Sequence, residues 1–257
     1  MEKVRGLTLL ILAIMMALAS IGVFGESGKA AQDLPKPREI LDRYVKALGG
    51  ADAITKHKSR TRKGILTMPS GKTASVVEYL APFKILTKVT TAGGDFIQAA
   101  DGNVAWVSNP KGAMLVRPFV QEFWKREADL SYPIHVTDYF HSFDTVGIEE
   151  FEGRACFHIK GVTNWGDRNE QFYDKQTGLL AGYRFPSDNS KDAPLSVLAF
   201  ADYKEFGGLL VPSKEISREF GSTTTTTYTS ITFDDVDDAV FALPAALQQQ
   251  INGPKSK

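Results

Sequence analysis

The chain has 257 residues, with lysine plus arginine equal to aspartate plus glutamate at 30 each and a formal net charge of zero. That balance, with no basic block, argues against nucleic acid or an anionic bilayer surface as the main partner. The single cysteine, Cys156, excludes an internal disulfide, so stability must come from the core.

The chain opens with Lys3 and Arg5 ahead of an apolar run from Leu7 to Leu18, with small residues at Ala17 and Ala19. A positive start, a short greasy stretch and an A-x-A-like end describe an export signal over residues 1–25, cut after Ala19 or, later, after Gly25. An uncleaved anchor over Leu7 to Phe24 is the alternative, since that run is nearly long enough to span a bilayer. After the signal no integral membrane segment is expected. Residues 26–36 read as a polar tether, 37–245 as a single domain and 246–257 as a polar tail. Removing the signal leaves roughly 230 residues, enough for one large β domain.

Pro37 suits a first helical turn, and Ile40, Leu41, Tyr44, Val45 and Leu48 recur at helical spacing until Gly49-Gly50 ends the run. A short helical piece, Ala51 to Lys56, leads into a meander of strands from Arg60 to Val107, broken at Pro69-Ser70-Gly71, Ala81-Pro82, Gly93-Gly94 and Asp101-Gly102-Asn103. Pro118 opens a different texture in which Phe119, Val120, Phe123 and Trp124 make one aromatic face. Ser131 to Phe143 reads as a second aromatic helical segment, with Ile134, Val136, Tyr139, Phe140 and Phe143 as its apolar members. Strands resume from Asp144, and the run of five threonines before Tyr228 is a β-branched strand rather than a stalk. Near the end, DDVDDAVFALP reads as a capped turn tucking Val240, Phe241 and Leu243 under the sheet edge. The inventory is about ten strands, one leading helix and two central helical pieces.

In this order the residues resemble the LolA/LolB-like outer-membrane lipoprotein-sorting family. Asp101 to Trp106 (DGNVAW) is similar to that family's D-G-x-x-x-W hairpin. Asp174, Thr177, Gly178 and Leu179 match its D-x-x-T-G-L turn, and Phe241 to Pro244 its F-x-x-P end. The chain departs from the pattern where sorting carriers have an F-x-Q-T opening strand, carrying Ser59-Arg60-Thr61-Arg62 instead, and it is longer. The resemblance implies a mainly β fold: a strongly curved antiparallel sheet forming an unclosed β-barrel, with helices lidding its concave face around a hydrophobic cavity. In the sorting carriers such a cavity holds acyl chains.

On that reading Phe119, Phe123, Trp124, Tyr139 and Phe140 are lid residues, and Phe83, Leu86, Trp106 and Phe157 are cavity walls, with a self-filled interior as the alternative. Catalytic constellations are thin. His135, Asp138 and His141 spread too far round a helix for all three to share a metal, and Cys156 and His158, two apart on a strand, do not face each other. His57 stands in a basic stretch read as surface, His158 on the wetter face of its strand, and Asp234, Asp235, Asp237 and Asp238 read as capping residues rather than a calcium loop. Nucleotide, zinc-protease and hydrolase motifs are absent, so neither cofactor nor metal is expected. The favoured function is a non-enzymatic exported carrier, periplasmic, whose partner is a lipid or acylated protein. The alternative is an interaction or sensor module with a packed interior and an envelope protein partner.

Overall fold

The structure, a computed structural model, describes residues 33–116, 118–186 and 195–252, without the side chains at 118–120, 122, 123, 250 and 252. The expected export signal and nearly all of the tether lie outside the described residues.

Helix α1 (Pro37–Leu48) begins on a proline and ends at Gly49, whose φ of 125° only glycine adopts at ease. Helix α2 (Ala51–Lys56) follows. The strands before the midpoint are β1 (Arg60–Thr67), β2 (Thr73–Ala81), β3 (Lys84–Thr91), β4 (Gly94–Ala100), β5 (Ala105–Asn109) and β6 (Gly112–Leu115). Helix α3 (Pro118–Glu127) and two 3₁₀ turns, Tyr132–Ile134 and Val136–Tyr139, then lead to β7 (Phe140–Phe151). The remaining strands are β8 (Arg154–Thr163), β9 (Arg168–Asp174), β10 (Leu180–Pro186), β11 (Leu195–Phe206), β12 (Leu209–Glu219) and β13 (Ser222–Phe233), and α4 (Ala245–Asn252) closes the described chain.

All thirteen strands form one antiparallel sheet, three more than the turn signals alone suggest, in the order β6-β5-β4-β3-β2-β1-β13-β12-β11-β10-β9-β8-β7. The first and last strands therefore meet at the centre, with Arg60 opposite Phe233, and the edges β6 and β7 do not pair, so the barrel stays open. Helix α1, about 18 Å long, packs against both β12 and β7, although these are five strand positions apart, roughly 24 Å in a flat sheet. A helix lying above a flat sheet could not touch both, so the sheet curls around α1 and the α1 side is concave.

Directly opposed residues share a face, which assigns every row. Arg62, Glu78, Thr87, Gln98, Val107 and Met114 form one row on the concave face, and Val76, Val89 and Phe96 a parallel one. Tyr79, Leu86, Ala99, Trp106 and Leu115 form a row on the convex face. There the C-terminal segment covers them: Phe241 and Leu247, each 2% exposed, pack on Leu86 and Trp106. Residues 246–252, expected as part of a polar tail, thus belong to a helix anchored by Leu247.

The aromatic segment after Ser131 is not an α-helix. Tyr132 precedes a proline, which disfavours helical backbone there, and the Asp129 carboxylate accepts from Ser131 N, His135 Nε2 and Tyr139 Oη, holding the chain in tight turns. From Phe140 onward the residues pair with β8.

At the central seam the register shifts at Gly64, which faces Tyr228 while Lys63 faces Ser230. A Cβ on Gly64 would sit 2.3 Å from Thr227 O. Gly64→Ala is therefore expected to cost about 1–3 kcal/mol, read as a lower urea midpoint; an unchanged midpoint would show that β13 can slide away.

Candidate ligand-binding site

The concave face has two halves of different character. Over β7–β12 it is filled by the protein itself. Helix α1 inserts Ile40, Leu41, Tyr44 and Leu48 among Val136, Phe140, Phe157, Ile159 and Tyr173, all buried, and the Tyr44 and Tyr173 rings meet edge to face at 5.4 Å. Gln171, wholly buried, donates to Tyr132 Oη at 3.2 Å and Asn169 Oδ1 at 3.0 Å and accepts from Tyr173 Oη at 2.6 Å. Burial pushes the Tyr132 phenol up to about 12, and those of Tyr44, Tyr173, Tyr183 and Tyr203 still higher, so these hydroxyls act as neutral hydrogen-bonding groups.

At the seam between the halves lies a buried ion network. Arg62 donates through Nε and Nη2 to both Glu78 oxygens at 2.7 Å and through Nη1 to Glu215, while its guanidinium lies 4.0 Å from the Tyr228 ring centre. Tyr228 Oη donates to Glu215 at 3.2 Å, and Arg60 Nη2 reaches Glu78 at 3.2 Å. Burial opposes the Arg62 charge, but Glu215 and Glu78 outweigh it and hold the guanidinium protonated. Burial likewise raises Glu78, yet Arg62 and Arg60 bring its pKa below the ordinary carboxylate range. Two cations and two carboxylates balance, so no charge in the network is left without an opposite one.

Over β3–β6 the concave face is open. A hollow of about 240 Å³ is bordered by Thr87, Val89, Phe96, Gln98, Val107 and Asn109, with Ile97 and Ser108 at its margin. Phe96 is 47% exposed and Met114, in the neighbouring row, 63% exposed. Neither was singled out from sequence. The signal was the pairing register, which places Phe96 beside Val89 and Met114 beside Val107.

The residues expected to line a cavity are dispersed. Phe157 and Phe140 lie on the concave side but inside the filled half, and Tyr139 is at its margin, bonded to Asp129 at 2.9 Å. Leu86 and Trp106 lie on the convex face beneath Phe241 and Leu247, because strand alternation turns them away from α1, so they cannot wall a concave cavity. Phe83 is also outside: it occupies the two-residue turn between β2 and β3 at φ 63° after Pro82, and is 58% exposed. Trp124 is half-buried on α3, which packs against β3, β4 and β5. The side chains of Phe119 and Phe123 lie outside the described residues.

The histidines read as surface groups are buried. His57 sets Nδ1 on Asp234 at 2.8 Å and Nε2 on Gly207 O at 2.9 Å, its ring stacked 4.2 Å from Phe233, so it joins the end of β13 to the β11–β12 turn. His158 sits on the convex face, Nδ1 at 3.0 Å from Glu149 and Nε2 at 3.1 Å from Glu170, over the Phe172 ring. Burial pushes the Cys156 thiol up to about 11, which suppresses the thiolate. Each aspartate of the late cluster is engaged locally: Asp234 accepts from Lys58 N, Asp235 from Thr61 and Thr232, Asp237 from Ala239 N, and Asp238 pairs with Lys84. Among the described residues no group of three or more His, Cys, Asp or Glu is placed to hold a metal ion, and no helix is long and apolar enough to cross a membrane.

An open antiparallel barrel of thirteen strands with a helix packed on its concave side has the LolA-like fold. Compared with family models and with curated proteins, the chain matches none. Among solved structures it is similar to a DUF1329 family protein from Desulfovibrio piger, at TM-score 0.57 and 15% identity over 80% of this chain and 96% of that one. A domain attributed to an outer membrane lipoprotein-sorting protein of Vibrio parahaemolyticus gives TM-score 0.54 and 14% identity over 79% and 94%. A LolA superfamily protein from Nitrosomonas europaea gives 0.52 and 12% over 82% and 99%. At such identities the likeness is one of fold, and the chain is a divergent example of it.

Proposed function

We propose that this protein is an exported, non-enzymatic carrier for an apolar ligand, a lipid or the acyl chain of a lipoprotein, held against the concave face of the β3–β6 half. The observation that carries the reading is the open apolar hollow beside Val89, Phe96 and Val107 on the face where the other half is already filled. The lipoprotein-sorting attribution of a structural neighbour points the same way, as does the leader expected over residues 1–25 ahead of a domain beginning at 37. Each acyl methylene withdrawn from water against such a surface contributes about 0.8 kcal/mol. In this reading Trp124 on α3 closes over the cargo, and α3 moves when it exchanges.

The purified mature protein is expected to release lipid on organic extraction and to bind an apolar fluorescent probe that fatty acyl chains displace. Phe96→Lys, which puts a charge into the hollow and removes a ring contributing roughly 2–3 kcal/mol of burial, is expected to weaken the probe at least tenfold. Full probe affinity in that variant would move the ligand elsewhere. The packed α1 half also favours a second reading, an envelope interaction module on the same scaffold, and the complete absence of extractable lipid and of probe binding in the wild type would select it.

A further inference from the structure

We propose that a second, separate pocket accepts the carboxylate head of a short- to medium-chain fatty acid, with Arg60 as its counter-ion. This pocket, of about 100 Å³, lies where the ends of α1, α2 and β12 meet the turn after α3; Leu48, Ile54, Leu209, Val211 and Phe233 supply apolar walls and Arg60 the charge. Arg60 is a cation with too few partners. Of its five donors, the one hydrogen bond formed among the described residues is the 3.2 Å contact from Nη2 to Glu78 Oε1, an oxygen that also takes the shorter 2.7 Å bond from Arg62. Its Nε is buried without a hydrogen-bond partner among the described residues. Arg62, by contrast, uses Nε, Nη1 and Nη2 on two carboxylates.

A buried guanidinium donor left unmatched is costly, and the planar group that satisfies such an edge best is a carboxylate. The His57 ring at the pocket is already committed, since it binds Asp234 and Gly207 O through its two nitrogens. The volume lies below the range of whole-ligand pockets, which suits a head group and its first methylenes against Leu209 and Phe233. This site is distinct from the hollow at Phe96, because β2 and the Arg62–Glu78 pair lie between Arg60 and the β3–β5 residues that border the hollow.

Calorimetric titration of the delipidated protein with octanoate and with octanol tests the assignment. Octanoate is expected to bind saturably and octanol about tenfold or more weaker, the difference made by a charge-assisted hydrogen bond. Arg60→Gln should bring octanoate down to the octanol level while leaving the probe affinity that Phe96→Lys weakens. As Arg60 touches the ion network, a measurement on the wild type alone stands beside the variant: the carboxyl carbon signal of octanoate labelled with carbon-13 at C1 should titrate at lower pH when bound than when free. Equal binding of acid and alcohol, retention of octanoate by a folded Arg60→Gln protein, or a bound carboxyl that titrates at or above its free value would each overturn the proposal. Loss of probe binding with octanoate binding intact would instead remove the acyl-carrier reading and leave this site standing.

Discussion

Replacing Arg62 by methionine is expected to destabilise the fold by about 3–5 kcal/mol. The substitution keeps the volume of the stem but leaves Glu78, 7% exposed, and Glu215 without the guanidinium that three of its nitrogens now deliver to them. Removal of one member of a buried pair strands the charge of the other, which is why the effect exceeds that of any surface pair in this protein, such as Arg218 with Glu152. Urea denaturation followed by circular dichroism measures it. The pH dependence supplies a sharper check. Burial works to raise Glu78, but Arg62 and Arg60 outweigh it and depress its folded pKa. The stabilisation from this carboxylate is therefore fully present above the unfolded value of about 4.5, and is lost as pH falls from there through the lower folded value. In Arg62→Met the stranded carboxylate gains by taking a proton already above about pH 4.5, and below it the wild type loses its own stabilisation, so the gap between wild type and variant should narrow as pH falls towards and through that value. A gap that stays constant or widens would show that the network contributes little through charge.

Trp106→Ala should cost a comparable amount, about 3–5 kcal/mol, for a different reason. Trp106 is 2% exposed and its side chain fills the convex core between Leu86, Phe241 and Leu247, so truncation leaves a cavity that the neighbouring strands cannot close. Because it faces away from α1, the variant is expected to keep full affinity for an apolar probe at temperatures where it remains folded. Phe96→Lys should show the opposite pattern, near wild-type stability with weakened probe binding. Probe affinity lost in folded Trp106→Ala would mean that the two faces communicate, or that the ligand sits beneath the C-terminal helix.

Much of this architecture was legible in the sequence because turns carry local chemistry. Gly93-Gly94, Asp101-Gly102-Asn103 and the Asp174–Gly178 turn stand where the chain reverses, with Asp101 and Asp174 each accepting two backbone N–H groups of their own turn. The helical stripe of Ile40, Leu41, Tyr44 and Leu48 is buried as its spacing implies. The site was less legible, because the face on which a residue lies is a matter of register. Shifting the count by one residue exchanges the faces, and Phe83, set off by a two-residue turn, could not reveal that Leu86 points away from Val89. The ion network was hidden for a related reason. Arg60 and Arg62 read only as the opening of a strand, and it is β2 and β12 that bring Glu78 and Glu215 to Arg62 from 16 and 153 positions away. Likewise, nothing local to His57 announces a carboxylate 177 positions downstream.

The meeting of the first and last strands at the centre of the sheet governs when the chain can fold. Until the segment beginning at Ser222 has been synthesised, β1 lacks one of its two neighbours and the two halves have no shared strand pair. Joining Arg60 to Phe233 closes a loop that encompasses most of the molecule, a contact of high sequence separation that slows folding. A nascent polypeptide of this design therefore emerges as two hairpin arrays with no strand pair in common, and they stay so until its final strand leaves the ribosome.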